Sequence, residues 1–352
     1  MRLHLVGGFL GSGKTTAIVH AAKLLMGRGL RVGVITNDQG KYLVDTAFFH
    51  LGGVPAVEVT GGCFCCNYDD LEARLAQLAA EMQPDVVFAE SVGSCADIVA
   101  TVVKPLLALA PDGVAPASFS VFTDARLLRR RLLSLELPFS EDVVYIFDKQ
   151  IEEASLLVVN KADLLPEAAL TEVQELVQEK LSGNAFLVQS TIAPDGVTQW
   201  VEQIEAGGLE LPKAPLEVDY ERYGAGEARL AWLDEEIRMA VPAGQGRAVI
   251  MDLLARFAGA IWASGAGIGH VKFIVSGEKI SLPTLEEPGW LERVPDIPGD
   301  LAVVLVNARV EIPAQDLRAM LRGILDATGF PYSVKHEAAF HPGQPKPTHR
   351  ME

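Results

Sequence analysis

Residues 8–15 read Gly8-Phe9-Leu10-Gly11-Ser12-Gly13-Lys14-Thr15 and run on into Thr16, a full G-x-x-x-x-G-K-[ST] match. The chemistry of that spacing is the binding of a polyphosphate. Gly8, Gly11 and Gly13 let the backbone wrap closely, so that its N–H groups, with those of Ser12 and Thr16, face phosphate oxygens. Lys14 reaches the β- and γ-phosphates, Thr15 offers its hydroxyl to Mg²⁺, and the dipole of the following helix favours the anion. The motif follows a candidate strand and opens a candidate helix, which sets it apart from a glycine-rich turn that happens to precede a lysine.

A magnesium partner is expected from the end of a neighbouring strand. Asp85-Val86-Val87-Phe88-Ala89-Glu90 is an apolar strand ending in a carboxylate, and Ser91-Val92-Gly93 follows it. Glu90 could hold Mg²⁺ through water or orient the attacking water, which makes Lys14 and Glu90 the candidate catalytic pair. Asp38, in Thr36-Asn37-Asp38-Gln39-Gly40, ends another strand and is a second candidate magnesium ligand. The sequence leaves the choice between them open.

Guanine discrimination is expected from Asn160-Lys161-Ala162-Asp163, which directly follows the buried-strand pattern Ser155-Leu156-Leu157-Val158-Val159. The Asp163 carboxylate can accept from guanine N1–H and the 2-amino group, a donor pair that adenine lacks. Asn160 would stabilise the loop and meet the base, the Lys161 stem would cover the ring, and Gln189-Ser190-Thr191 would form a second wall. These residues call for GTP and Mg²⁺ as ligands.

The chain has four cysteines, and three of them fall in Cys63-Phe64-Cys65-Cys66. So few do not make a disulfide framework. Thiolates at this density, just after a candidate strand, suit a thiophilic ion: Zn²⁺ or Co²⁺, with Ni²⁺ also possible chemically. Three ligands leave a position open, which fits a transferable ion. The alternative is three small apolar side chains packed in a turn.

The elements that must carry these motifs alternate. Candidate strands lie at 2–7, 30–36, 54–59, 85–90, 117–123, 155–159 and 184–190, with amphipathic stretches such as 14–28, 68–83 and 166–182 between them. This predicts α/β architecture, a doubly wound, mainly parallel P-loop NTPase sheet, in which motifs directly after strands share one edge. A cluster of glycines and prolines near 206–226 marks a boundary. Beyond it, a smaller α+β domain is expected from an extended segment at 228–240, helices at 247–262 and about 314–327, and strands at 270–275 and 301–306. The expected division is a P-loop domain over 1–210, a linker over 211–225, a second domain over 226–340 and a flexible tail over 341–352, where Pro342, Pro345 and Pro347 fall.

Acidic residues outnumber basic ones 46 to 30, for a formal net charge of −16. That excludes indiscriminate binding to nucleic acid or anionic membrane. Arg126, Arg129, Arg130 and Arg131 read as the solvated face of a helix. With no apolar run of spanning length and no signal-peptide pattern at the start, the expected location is cytoplasmic.

Taken together, the segments Gly8–Thr16, Asn37–Gly40, Gly61–Cys66, Glu90–Gly93, Gln150–Ala154 and Asn160–Asp163 resemble the CobW-like GTPases, relatives of the UreG and HypB nickel-insertion GTPases. The resemblance implies a slow GTPase whose nucleotide state is coupled to metal at Cys63, Cys65 and Cys66. It further implies delivery of Zn²⁺ or Co²⁺ to a client metalloenzyme or a corrinoid-pathway protein, and pairing of two copies as a homodimer. In the second domain the similarity is faint. Two departures stand out. Family members commonly read N-E-F-G-E where this chain has Asn37-Asp38-Gln39-Gly40-Lys41. Cys95, in Ser94-Cys95-Ala96-Asp97, stands where relatives have no cysteine; it is either a compensating fourth thiolate or a buried small side chain. His336, His341 and His349 are scattered and read as incidental. A competing reading is a GTP-dependent regulatory switch for a corrinoid or redox protein, with no metal passed on. A small-molecule kinase would leave Asn160–Asp163 unexplained.

Overall fold

A computed structural model describes the chain except residues 39–43, 110–112, 182, 184, 194, 213 and 286; the side chains of 38 and 44–47 also lie outside the described set. Largely apolar runs make the first strands, as expected where both faces of a sheet are covered. They are β1 (Arg2–Gly8), β2 (Val32–Asp38), β3 (Ala56–Thr60), β4 (Val86–Glu90), β5 (Ala115–Asp124), β6 (Leu156–Asn160) and β7 (Ala185–Val188). Among the described residues they pair in parallel, in the order β3-β2-β4-β1-β5-β6-β7. The order turns back on either side of β1, so the crevice where ligands of such sheets bind opens beyond its carboxyl end.

Alternate side chains of each strand enter two cores. Val6, Val34, Phe88, Phe122 and Val158 pack under α1 (Lys14–Gly27) and the Phe49 ring of α2 (Val44–Leu51). Leu5, Ile35, Val87, Val121 and Val159 pack under α3 (Tyr68–Glu81) and the helices that follow. Those are α4 (Lys104–Leu109), α5 (Ala125–Leu132), α6 (Glu141–Glu152) and α7 (Glu167–Lys180), while α8 (Thr198–Glu205) returns to the first face with Trp200.

After α9 (Tyr220–Arg229) the chain forms β8 (Ala231–Ala240), α10 (Gly246–Ala263), β9 (Ile268–Val275), β10 (Glu278–Pro283), β11 (Leu301–Val310), α11 (Ala314–Ala327) and β12 (Tyr332–Phe340). These strands make a five-stranded sheet, β10-β9-β11-β8-β12, with antiparallel pairings. One face buries Leu233, Val271, Val306 and Ala308 against α10 and α11. The other carries Trp232, Asp234, His270, Lys272, Asn307 and Arg309 and turns toward the first domain, where Trp232 joins the core.

Two segments depart from expectation. The presumed linker contains α9, which packs on α6. Its glycines mark close approach, not a break: a Cβ on Gly226 would lie 2.4 Å from the Asp142 carbonyl oxygen. The presumed flexible tail is docked on the first domain; Thr348 N–H donates to the Cys65 carbonyl at 2.8 Å and Met351 N–H to that of Ala100 at 2.9 Å. The arginine cluster is tied rather than merely solvated. Arg126 pairs with Asp124 at 2.7 Å, Arg129 with Glu172 at 2.6 Å and Arg131 with Asp148 at 2.6 Å. No helix among the described residues is long and apolar enough to cross a membrane.

Candidate functional site

The turn after β1 is shaped by backbone that only glycine supplies without strain. Gly8 has φ +121°, and a Cβ there would fall 2.1 Å from the Phe122 carbonyl oxygen of β5. Gly13 has φ +95° and caps α1, bringing Lys14 and Thr15 to the first turn. Lys14 Nζ folds back on its own loop, donating to the Gly8 carbonyl at 2.6 Å and that of Phe9 at 3.2 Å. An arriving phosphate would exchange places with these carbonyls. Parallel pairing puts Glu90 beside Val6, within reach of Thr15, whose hydroxyl donates to Glu90 Oε1 at 2.8 Å. The Ser12 and Ser91 hydroxyls are buried with no hydrogen-bond partner among the described residues. Such orphaned groups next to a phosphate loop fit a bound nucleotide. The Thr15 hydroxyl and Glu90 carboxylate likewise fit a hard, oxygen-seeking ion such as Mg²⁺. The side chain of Asp38, the other candidate ligand, lies outside the described residues, as do Gln39–Lys41.

The base-side loop is fastened to the phosphate loop. Asn160 Nδ2 donates to the Ser12 carbonyl at 2.8 Å, and its Oδ1 accepts from Thr191 N–H and hydroxyl at 3.1 and 2.8 Å. Asn160 therefore braces the loop and the 189–191 wall together. Lys161 adopts a left-handed φ of +61°, uncommon for a side-chain-bearing residue and typical of functional turns. Its ammonium pairs with Glu287 at 2.7 Å and lies 3.5 Å from Asp124. Burial opposes the Asp124 charge, yet the Arg126 hydrogen bonds and the Lys161 ammonium hold its carboxyl below the usual carboxylate range. Asp163 is exposed, on the short 3₁₀ turn that follows, and has no protein partner among the described residues.

One cavity is lined on the first-domain side by Gly11, Ser12, Gly13, Lys14, Thr15, Thr16, Asn37, Glu90, Asn160, Lys161 and Asp163. Its other wall escaped sequence reasoning. The second domain contributes Trp232, His270, Lys272, Lys279 and Arg309 from its sheet, and Glu287 and Arg293 from the segment that follows β10. Several are fixed: Arg309 stacks 3.5 Å over the Trp232 ring and donates to Asp234 at 3.0 Å, and His270 shares a 2.7 Å hydrogen bond with Asn307. Antiparallel register puts His270 opposite Arg309 and Lys272 opposite Asn307, so one sheet face concentrates basic residues against the phosphate loop.

The cysteine loop hangs from the same sheet edge by Asn37. Its Nδ2 donates to the Val59 and Gly62 carbonyls at 3.2 and 2.8 Å, and its Oδ1 accepts from Phe64 N–H at 2.8 Å. Cys63 Sγ lies 2.7 Å from Cys65 Sγ and 3.3 Å from Cys66 Sγ. The three sulfurs all fall within 4.8 Å of one another, a spacing that lets one ion touch all three. Hydrogen bonding with Cys65 and then with Cys66 holds the Cys63 thiol well below its ordinary range. The same sharing raises Cys65, and it raises Cys66 to about 11. Cys95 is fully buried and interacts with Cys63 and Cys65, but it is not part of the three-sulfur group. The Cys95 segment is clamped by Gln150, whose amide donates to the Gly93 and Cys95 carbonyls at 3.1 and 2.7 Å.

A parallel sheet that reverses at β1, a phosphate loop after that strand and a base-side loop after β6 define a P-loop nucleotide-binding domain. The family model "CobW/HypB/UreG, nucleotide-binding domain" matches residues 2–189, and the chain belongs to that family. Among curated relatives it is 27% identical over 206 residues to the zinc chaperone CobW of Sinorhizobium sp, covering 53% of this chain and 58% of the relative. It is 31% identical over 165 residues to the zinc chaperone YeiR of Escherichia coli K12, covering 46% and 47%. The chain thus spans about half the length of the curated relatives it matches. Solved structures to which the chain is similar include HypB of Helicobacter pylori in complex with nickel, at 17% identity, TM-score 0.42 and coverage of 58% and 85%. Another is the Zn(II)-bound YjiA GTPase of E. coli, at 13% identity, TM-score 0.40 and coverage of 92% and 98%.

Proposed function

We propose that this protein binds and slowly hydrolyses GTP and acts as a metallochaperone, holding Zn²⁺ or Co²⁺ at Cys63, Cys65 and Cys66 and releasing it to a client metalloenzyme or corrinoid-pathway protein. The observation that carries this reading is Asn37, which lines the nucleotide cavity and holds the cysteine loop by hydrogen bonds to Gly62 and Phe64, with a further one to Val59 in β3. The zinc-chaperone relatives support the same cargo chemistry.

Thr15 and Glu90 would hold Mg²⁺, which when bound neutralises charge on the β- and γ-phosphates. Lys14 compensates the same oxygens, Asn160 and Lys161 shape the base pocket, and Asp163 reads guanine. Replacing Lys14 with alanine removes a charge-assisted partner of the phosphates. Nucleotide affinity is expected to fall about a hundredfold, from ~2–3 kcal/mol per such interaction, and turnover to be lost. Thr15→Ala should instead flatten the Mg²⁺ dependence of binding, measured by nucleotide titration across magnesium concentrations.

The test of the function is zinc titration with and without Mg²⁺–GTP. Tighter zinc binding in GTP, with an equal tightening of GTP binding by zinc, is expected, because linkage is reciprocal. A protein that takes up no metal, but whose cluster oxidises and reduces reversibly, would support the regulatory switch instead.

A further inference from the structure

Residues 341–352 carry no helix or strand, yet they return from β12 to the first domain and lie across the cysteine loop. Of the three clustered thiols, Cys63 and Cys65 are buried and Cys66 is half-buried, so the cluster opens on the Cys66 side. That side is where the returning chain sits. Lys346 N–H donates to Cys66 Sγ at 3.3 Å. Thr348 donates from its backbone to the Cys65 carbonyl at 2.8 Å and from its hydroxyl to the Cys66 carbonyl at 3.0 Å. The His349 ring meets the Tyr68 ring edge-on at 5.1 Å.

The far end of the segment is anchored elsewhere. Arg350 pairs with the buried carboxylate of Asp97 at 2.9 Å and donates to the Leu216 carbonyl at 3.0 Å. Asp97 closes the stretch that begins with Glu90, holds a left-handed φ of +60° and is also bonded by the Tyr220 hydroxyl at 2.7 Å. Pro342, Pro345 and Pro347 restrict the segment to extended conformations, which lowers the entropy lost when it docks.

We propose that residues 344–351 form a strap over the face made by Cys65, Cys66, Tyr68 and Asp97, that a client must displace this strap to reach the thiolates, and that the Arg350–Asp97 anchor ties its opening to the segment carrying Glu90. The proposal rests on the reading of the cysteines as the cargo site. A rearrangement of Glu90 about a nucleotide has only seven residues of chain to travel before it reaches Asp97.

The test measures two things in the full chain, in Arg350→Ala and in Thr348→Pro, which removes the backbone donor to Cys65. The first is the rate at which the metal-free thiols react with a chromogenic disulfide reagent. The second is the rate at which the zinc-loaded protein yields Zn²⁺ to a coloured chelator. Both are read with GDP and with a non-hydrolysable GTP analogue. Each variant is expected to speed both reactions roughly three- to tenfold, the population shift from ~0.7–1.4 kcal/mol of lost anchoring, with nucleotide still bound and its affinity moved by no more than the factor by which nucleotide shifts the strap, since linkage is reciprocal. In the wild type the rates should differ between the two nucleotides, and Arg350→Ala should erase that difference. Unchanged rates in both variants would overturn the strap, and nucleotide-independent wild-type rates would overturn its link to Asp97. If the wild type takes up no zinc while thiol reactivity still rises in the variants, the strap stands and the metal reading falls.

Discussion

Replacing Cys63, Cys65 and Cys66 together with serine is expected to abolish stoichiometric Zn²⁺ or Co²⁺ binding while GTP still binds in metal-free buffer. Thiolate ligation supplies most of the free energy of such sites, on the order of 10 kcal/mol. Loss of all three sulfurs should therefore weaken zinc by at least about a thousandfold. Nucleotide binding should survive because Asn37 grips the loop through the Gly62 carbonyl and the Phe64 N–H, and β3 through the Val59 carbonyl, all of which the substitutions leave in place. Elemental analysis and zinc titration check the first half, and GTP titration the second. Adding Cys95→Ser asks whether that sulfur is a fourth ligand. In the wild type, metal affinity should rise with pH. Cys65 and Cys66 hold their protons in the metal-free state, Cys66 up to about pH 11, and must release them to ligate. A triple variant that binds zinc with unchanged affinity and stoichiometry would end the metallochaperone reading in favour of the regulatory switch.

Asp163→Asn is expected to weaken GTP by roughly thirty- to a thousandfold, from ~2–4 kcal/mol for a lost pair of charge-assisted hydrogen bonds, and to shift preference to xanthosine triphosphate. The 2-oxo group of xanthine can accept from the new amide, where the 2-amino group of guanine would meet a donor. The geometry supports so local an effect. Asp163 has no protein partner among the described residues, so the substitution strips no contact from the fold, and its neighbours Asn160 and Lys161 stay tied to Ser12 and Glu287. Competition binding with the three nucleotides measures it. Sites built on such a hydrogen-bond pair reject analogues lacking it by large factors, up to about 10⁴–10⁵. Equal affinity of the wild type for ATP and GTP would remove Asp163 from its role.

The first domain was legible because its signals are local. A strand, a glycine turn and a lysine at the head of a helix are adjacent in sequence, and parallel strands buried on both faces read as plain apolar runs. What escaped reading depends on distant partners. Gly224 and Gly226 look like breakers until Gln344 is seen against the first and Asp142 of α6 against the second. The local sign of β10 was Ser276-Gly277, whose positive φ values of +48° and +88° make a tight hairpin with β9. β12 bends at His336, φ +53°, which breaks its pairing with β8 and its alternation together. The basic wall of the nucleotide cavity was invisible for the same reason: Lys272, Lys279, Arg293 and Arg309 are scattered in sequence and meet only through antiparallel register and domain docking.

Asn37 commits its amide nitrogen and oxygen alike to the cysteine loop, and its own backbone is a rung of the parallel sheet, in register with Val59. The loop is therefore not free to breathe as surface loops do; it opens only when a sheet edge opens. In hydrogen–deuterium exchange the Phe64 amide should behave like a strand amide and outlast those of other turns by orders of magnitude in time. An ion held there rests on a stiff frame, so its residence time would be set by the lability of sulfur–metal bonds and by access of a competing ligand, with little contribution from wandering of the protein around it.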